Sequence, residues 1–353
     1  MEVALDLTPA LSGLTGVARY TLRLAAELPY AGITVNGFGI GRGPGTLPAG
    51  SRHLPIPLRI VQSAWRHVGI PRAEWIAGGG DLVHSVDLVL PPTRRPLVAT
   101  VHDVAALDRP DLHPPAQVAQ MRARLEALDA ATLILAVSQT TADALGRHGI
   151  DLGRVVVTPL AATPVSRTPA RPQTRPPYLL AVGELTARKD YPTLLRALAQ
   201  EPARELRLVM AGPRGYRAQE VADVATAVGV ADRIEMLGRV SDAEVAALYR
   251  GATALCLTSV IEGFGLPLVE AMAFGLPIVA SDIAVTHEVA GDAAIYAPVG
   301  DAEAFAAALH RVVTDDELRS TLKRNAARRS QQFSWTRTAE LTAAAYRKAA
   351  SCD

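Results

Sequence analysis

Apolar positions along this chain fall into two alternating rhythms. Short, nearly unbroken runs recur at 3–7, 81–84, 96–101, 133–137, 178–182, 206–211, 254–257 and 277–280. Runs of that length, bounded by glycine or polar residues, predict strands buried on both faces of a parallel sheet. Between them come longer stretches whose apolar residues recur three and four apart, such as Val17, Tyr20, Leu24 and Leu28 on one face, or 118–131, 301–313 and 315–328. These predict amphipathic helices. Strand and helix therefore alternate, as in doubly wound α/β folds.

The rhythm breaks once. From 159 to 177 the chain reads PLAATPVSRTPARPQTRPP, with recurrent proline and no apolar period, which resists both helix and central strand. The alternation on both sides of this break predicts two Rossmann-like domains, 1–163 and 178–335, joined by a linker at 164–177 and followed by a C-terminal helix at 336–353. A cleft between two such domains, closing by a hinge over its ligand, follows from that organisation. The glycine- and proline-dense segment 37–50 predicts a mobile surface loop near the cleft mouth.

The richest stretch is 257–281, LTSVIEGFGLPLVEAMAFGLPIVAS. Two glycines let the backbone of Glu262-Gly263-Phe264-Gly265-Leu266 adopt unusual dihedrals or approach a ligand closely. Pro267 suits the first turn of a helix and Gly275 its C-terminal cap. Unpaired amides at that helix start form a site for negative charge, and phosphate is the obvious occupant. Yet the carboxylates of Glu262 and Glu270 flank the site and would repel phosphate, so they must face neutral hydroxyls. A ligand with an anionic middle and hydroxyl-rich ends, such as a nucleotide diphosphate sugar, meets both demands.

Composition narrows the classes. A length of 353 residues suits two domains, and 49% apolar residues with only 5% aromatics imply aliphatic cores. A formal net charge of +1 leaves no electrostatic footprint for nucleic acid. No apolar stretch reaches the ~18 residues of a spanning helix, and the start MEVALDL reads as a first strand rather than a leader. Cys256 and Cys352 are the only cysteines; they predict free thiols in a reducing cytoplasm and no metal site.

Taken together, Glu262, seven residues, Glu270, the surrounding GFGLP and EAMAFGLPIVAS, and Glu288 in HEVAGDAA resemble the signature of the retaining family four glycosyltransferases of GT-B fold, with a mannosyltransferase-like cast. The resemblance implies that Glu270 holds the ribose hydroxyls, that Glu262 reaches the donor sugar, and that the amides of Phe264, Gly265 and Leu266 meet sugar hydroxyls and diphosphate. GLTGVARY is similar to the family's N-terminal loop, with Gly16 facing the diphosphate. ATVHDVA resembles the segment that carries an active-site histidine, which makes His102 the contact to the donor sugar. VGELTARKDYPTLLRAL resembles the basic segment that neutralises the diphosphate. Because Glu184 stands where some members carry arginine, the load falls on Lys189 with Arg188 assisting, and Asp190 replaces a commoner asparagine. The region of Val240 is implied at the nucleobase, and the last helix is implied to brace the first domain.

His102, Lys189 and Glu262 are thus the expected catalytic group, with a GDP-, UDP- or dTDP-linked donor, no further cofactor and no metal. The acceptor is a sugar, lipid or natural product. His84 and Asp103, at predicted strand ends, are candidates for its contact, and for His84 a bond to a neighbouring backbone group is an equal alternative. Ser138 or Thr140 reads as a helix cap. Ile60, Trp65 and Val68 stand among Arg59, Arg66, His67 and Arg72, a pattern that fits either an amphipathic contact with the inner face of a membrane or a domain helix with a solvated basic face. Rival functions are a sugar phosphorylase on the same scaffold, a noncatalytic nucleotide-sugar-binding subunit, and a nicotinamide dehydrogenase. The last is disfavoured because the first loop lacks the third glycine and a ribose-binding acid at the usual distance.

Overall fold

The computed structural model describes residues 1–13, 15–163 and 177–351. The expected linker lies outside them except for Pro177, as does Cys352. The chain divides into two units: Met1–Pro110, Pro114–Ala161 and the residues from Ser334 onward form one, and Asp111–His113 with Ala162–Phe333 form the other.

In the first unit β1 (Glu2–Asp6), β2 (Thr34–Ile40), β3 (Arg52–Leu54), β4 (Leu82–Ser85), β5 (Leu97–Val101), β6 (Leu133–Ala136) and β7 (Val155–Val157) make one sheet in the order β3-β2-β1-β4-β5-β6-β7. Every pairing is parallel. The inner strands are apolar on both faces because helices cover both sides, which explains their unbroken hydrophobic runs. The direction of winding reverses between β1 and β4, and the carboxyl ends beside that switch point are where such sheets place ligands.

The second unit repeats the scheme with β8 (Leu179–Val182), β9 (Leu208–Ala211), β10 (Ile234–Gly238), β11 (Ala254–Leu257), β12 (Ile278–Ser281) and β13 (Ala294–Ala297), in the order β10-β9-β8-β11-β12-β13. Its switch point falls between β8 and β11. Leu194, Leu198, Phe305 and Leu309, all fully buried, belong to its aliphatic core. Cys256 lies there as a free thiol whose pKa burial raises.

The helix Trp335–Ala350 belongs to the first unit. Trp335 meets the ring of Tyr20 at 6.2 Å, and the Thr338 hydroxyl donates to the carbonyl of Pro159 at 2.6 Å. Ser138 caps the helix Gln139–Arg147 by accepting from the Thr141 amide.

One expectation is corrected. Gly37 and Gly39 sit inside β2, not in a loop. A Cβ on Gly37 would come within 2.4 Å of Leu7 Cδ1, and one on Gly43 within 1.9 Å of the Leu11 carbonyl oxygen. At Gly43 neighbouring backbone passes too close for a side chain, whereas at Gly37 the near atom is the tip of the Leu7 side chain.

Candidate active site

The second unit gathers its charged candidates where β8 and β11 end. After β8, Arg188 and Lys189 ride on the short turn Ala187–Lys189. That turn closes at Asp190 with φ 44, the one non-glycine residue in the left-handed region among the described residues. Asparagine and aspartate tolerate this conformation best, so the departure from asparagine keeps the backbone requirement. The turn is tied to the chain after β11: Val260 N donates to the Arg188 carbonyl and Thr258 Oγ1 to the Lys189 carbonyl, each at 2.8 Å.

The side chains meet as well. Arg188 Nη1 donates to Glu262 Oε2 at 2.7 Å, Lys189 Nζ donates to Glu262 Oε1, and Ser259 Oγ donates to the same oxygen at 2.7 Å. Burial alone would push the Glu262 carboxyl up. The charges of Lys189 and Arg188, with the Lys189 and Ser259 hydrogen bonds, outweigh that and hold it at about 2. Two cations thus meet on the Glu262 carboxylate. Glu262, expected at the donor sugar, spends its carboxylate here on the basic pair.

From Glu262 the backbone runs through Gly263 and Phe264 to Gly265 and the helix Leu266–Ala273. Gly265 has φ 87, and a Cβ there would stand 2.9 Å from Leu268 Cδ1, so both dihedral and space require glycine. No side chain among the described residues caps this helix start; Pro267 has no N–H and the Leu268 amide donates to the Gly265 carbonyl at 2.9 Å, so the Leu266 amide is the first-turn donor left for an anion. The Phe264 ring is buried edge-on against Phe333 at 5.9 Å, so only its backbone is offered outward. Leu266 is half-buried at the first helical position, and Val240 is half-buried just before the Ser241 cap of the helix Asp242–Gly251. Glu270, one turn into its helix and 6% exposed, is held separately by Tyr249 Oη, which donates to Oε2 at 2.8 Å.

The first unit places His102 just after β5. Its Nε2 lies 2.9 Å from the Val86 carbonyl. Burial lowers its pKa, against the raising influence of that carbonyl and of Asp87 and Asp103, so the ring is neutral with Nε2–H donating. That tautomer leaves Nδ1 as an acceptor for a hydroxyl. The edge of the ring meets Tyr20 at 5.0 Å. Asp103, half-buried, accepts from the Ala105 amide at 3.1 Å. Gly16 is exposed at the first position of the helix Gly16–Glu27, where Thr15 caps by accepting from the Ala18 amide.

His84 is turned inside the fold, with side-chain hydroxyls as its partners where a backbone group was the expected alternative to the acceptor. It is fully buried, with Nδ1 2.6 Å from Tyr346 Oη and Nε2 2.8 Å from Thr100 Oγ1. With both nitrogens occupied inside the fold, it offers none to an acceptor. Burial, helped by His102, lowers its pKa to about 3.

Sequence reasoning missed Ser259, Tyr249 and Asp6. Asp6 closes β1, and burial, against the Thr8 bonds, raises its pKa to about 6. A carboxylate inside the apolar run VALDL was the available signal; nothing comparable marked Tyr249.

Two parallel-sheet units, each with its polar cluster at a switch point, are those of a GT-B glycosyltransferase. A solved sucrose-phosphate synthase from Thermosynechococcus elongatus shares this fold, with TM-score 0.79 and 21% identity over all of both chains. The profile described as Glycosyltransferase Family 4 matches residues 14–162, and that described as Glycosyl transferases group 1 matches 164–329. The chain is 28% identical to the O-antigen chain mannosyltransferase B of Escherichia coli, over 98% of this chain and 100% of that one. It is 30% identical to the D-inositol 3-phosphate glycosyltransferase of Corynebacterium efficiens, over 74% of this chain and 68% of the other. This chain belongs to glycosyltransferase family 4 and transfers a sugar.

Proposed function

We propose that this chain moves a hexosyl group from a nucleotide diphosphate sugar to an acceptor hydroxyl, with retention at the anomeric carbon and without a divalent metal. The observation that carries this reading is the Arg188–Lys189–Glu262 cluster on loops tied to the uncapped start of the helix Leu266–Ala273. The C1–O bond to the diphosphate breaks, a new C1–O bond to the acceptor forms, and the acceptor proton passes to the departing phosphate oxygen. Negative charge grows on the diphosphate as that bond lengthens. Lys189, Arg188 and the Leu266 amide stabilise it, the service a divalent ion would otherwise give. Glu262 restrains both cations, and with three donors already on its carboxylate only the second lone pair of Oε2 is assigned to a donor-sugar hydroxyl. His102 accepts a sugar hydroxyl through Nδ1, and Glu270 accepts from the ribose. The amide of Gly16 and the backbone around Val240 are assigned to diphosphate and base, and Asp103 to the acceptor. In this reading the second unit holds the nucleotide and the first the acceptor.

The deciding experiment is a panel of UDP-, GDP- and dTDP-sugars incubated with the chain in excess chelator, with the anomeric configuration of the product read by NMR. Inverted product or loss of turnover in chelator would each remove part of the proposal. A sugar phosphorylase would turn over with free phosphate and no nucleotide. A noncatalytic subunit would keep its biological activity in His102→Ala.

A second reading, contact with the inner face of a membrane, draws on one observation. Ile60, Val68, Ile70 and Trp75 are 53%, 64%, 45% and 54% exposed, and the Arg72 guanidinium lies over the Trp75 ring at 4.8 Å. Arg59 and Arg66 are on the same helix, Leu58–Val68. Apolar side chains beside arginines suit an anionic lipid surface. Co-sedimentation with phosphatidylglycerol vesicles, compared with phosphatidylcholine vesicles, tests it: equal pelleting with both would sink the electrostatic part. Among the described residues no helix is long and apolar enough to cross a membrane.

A further inference from the structure

We infer that Tyr249 is a positioning residue that makes the nucleotide site selective for ribose over 2′-deoxyribose, acting through Glu270. The inference rests on the assignment of Glu270 to the ribose hydroxyls. Tyr249 comes from the helix Asp242–Gly251 and Glu270 from the helix Leu266–Ala273, and both side chains are buried. The hydroxyl donates to Glu270 Oε2 at 2.8 Å.

The ring of the tyrosine packs on a neighbour that is itself held, and the chain beside it is tied down. Its ring stacks on Phe274 at 5.4 Å with an interplanar angle of 10°, and Phe274 caps the end of the helix that carries Glu270. Arg250 lies over the same Phe274 ring at 5.4 Å. Tyr178 Oη donates to the Leu248 carbonyl at 2.8 Å, one residue before Tyr249. The ring stack and the hydrogen bond from Tyr249 couple the two helices, and the carboxylate cannot rotate without losing that bond.

The consequence is chemical. A carboxylate has about four lone-pair directions, and a donor fixed on one of them determines which directions remain for two vicinal hydroxyls. A pair of ribose hydroxyls demands a particular carboxylate plane. A 2′-deoxyribose offers a single hydroxyl and tolerates more rotation. Loss of the tyrosine hydroxyl should therefore cost the ribonucleotide more than the deoxyribonucleotide, while the diphosphate contacts at Lys189 stay as they are.

Calorimetric titration with UDP against 2′-deoxy-UDP, and GDP against 2′-deoxy-GDP, reads this directly. The native chain should prefer the ribonucleotide of its own base, and Tyr249→Phe should reduce that preference on the order of three- to tenfold. Glu270→Ala should abolish it, and adding Tyr249→Phe to Glu270→Ala should change nothing further. If Tyr249→Phe weakens both sugars equally, or leaves the ratio at its native value, the tyrosine is only a packing residue and the inference falls. If Glu270→Ala keeps the ratio, the ribose assignment itself falls, a separate result read from a separate variant. Tyr249→Leu, with its melting temperature recorded, reports the loss of the ring stack apart from that of the hydroxyl.

Discussion

The two units bury polar groups near the carboxyl ends of their strands and resolve the cost in opposite ways. At the end of β4 and β5, His84 and His102 give up charge: burial drives their pKa values down, and neutral partners, Thr100, Tyr346 and the Val86 carbonyl, satisfy their nitrogens. At the end of β8 and β11, Lys189, Arg188 and Glu262 keep charge by pairing, and the carboxyl is held down at about 2. A buried group without a counter-ion is tolerated by giving up its charge, and a buried charge is tolerated by pairing it.

The largest expected effect breaks the charged side. Lys189→Ala should lower turnover on the order of a hundredfold or more if the lysine stabilises leaving-group charge. Steady-state rates with a saturating donor check it, and near-normal rates would strike Lys189 from the mechanism. Glu270→Ala comes next, with nucleotide affinity weakened roughly tenfold or more, since a hydrogen bond to a charged group is worth about 1.5–3 kcal/mol; titration calorimetry gives the answer.

On the neutral side, Thr100→Val strands both His84 Nε2 and Tyr20 Oη, which lie 2.8 and 3.0 Å from the threonine hydroxyl. Leaving buried polar groups unpaired should cost about 1–3 kcal/mol for each group, visible as a lower denaturant midpoint. An unchanged midpoint would show that the network is not tight.

Acid separates the two sides most gently. His84 titrates near its ordinary value of 6.5 when unfolded and at about 3 when folded, so the unfolded chain takes up the extra proton as pH falls below 6.5. Stability is therefore lost progressively between those values. Asp6 opposes the trend, because its folded pKa of about 6 lies above its ordinary 3.8 and favours the folded state in that window. Glu262 contributes stability above its ordinary 4.5 that disappears only as pH falls toward about 2. Between pH 6.5 and 4.5 the native chain should lose on the order of 1 kcal/mol per pH unit more than His84→Asn, as measured by urea denaturation at stepped pH. Parallel curves would mean that His84 is not held neutral.

Much of the second unit was legible in sequence because its information is local. The run Ala254–Leu257 is a strand, Gly265 adopts a dihedral that only glycine takes easily, Pro267 stands in the first turn of a helix, and Gly275 follows its end. Each is decided by neighbours a few residues away. The segment 37–50 was legible only in part: 41–50 lie outside helix and strand, but Gly37 and Gly39 belong to β2, and Gly43 and Gly45 answer to the carbonyls of Leu11 and Ala10, some thirty residues distant.

By itself the sequence determined the alternation of strands and helices, the glycine loop with its flanking glutamates, and the basic pair. Only the tertiary structure decided that His84 is locked between Thr100 and Tyr346, 262 residues away from the latter, that Glu262 closes on Lys189 and Arg188 from more than seventy residues off, and that Tyr249 holds Glu270. Backbone dihedrals and apolar periodicity are short-range properties that residue order encodes directly. The partner of a buried polar group is chosen by which strand ends the sheet order brings side by side, and that order is settled only when the cores close.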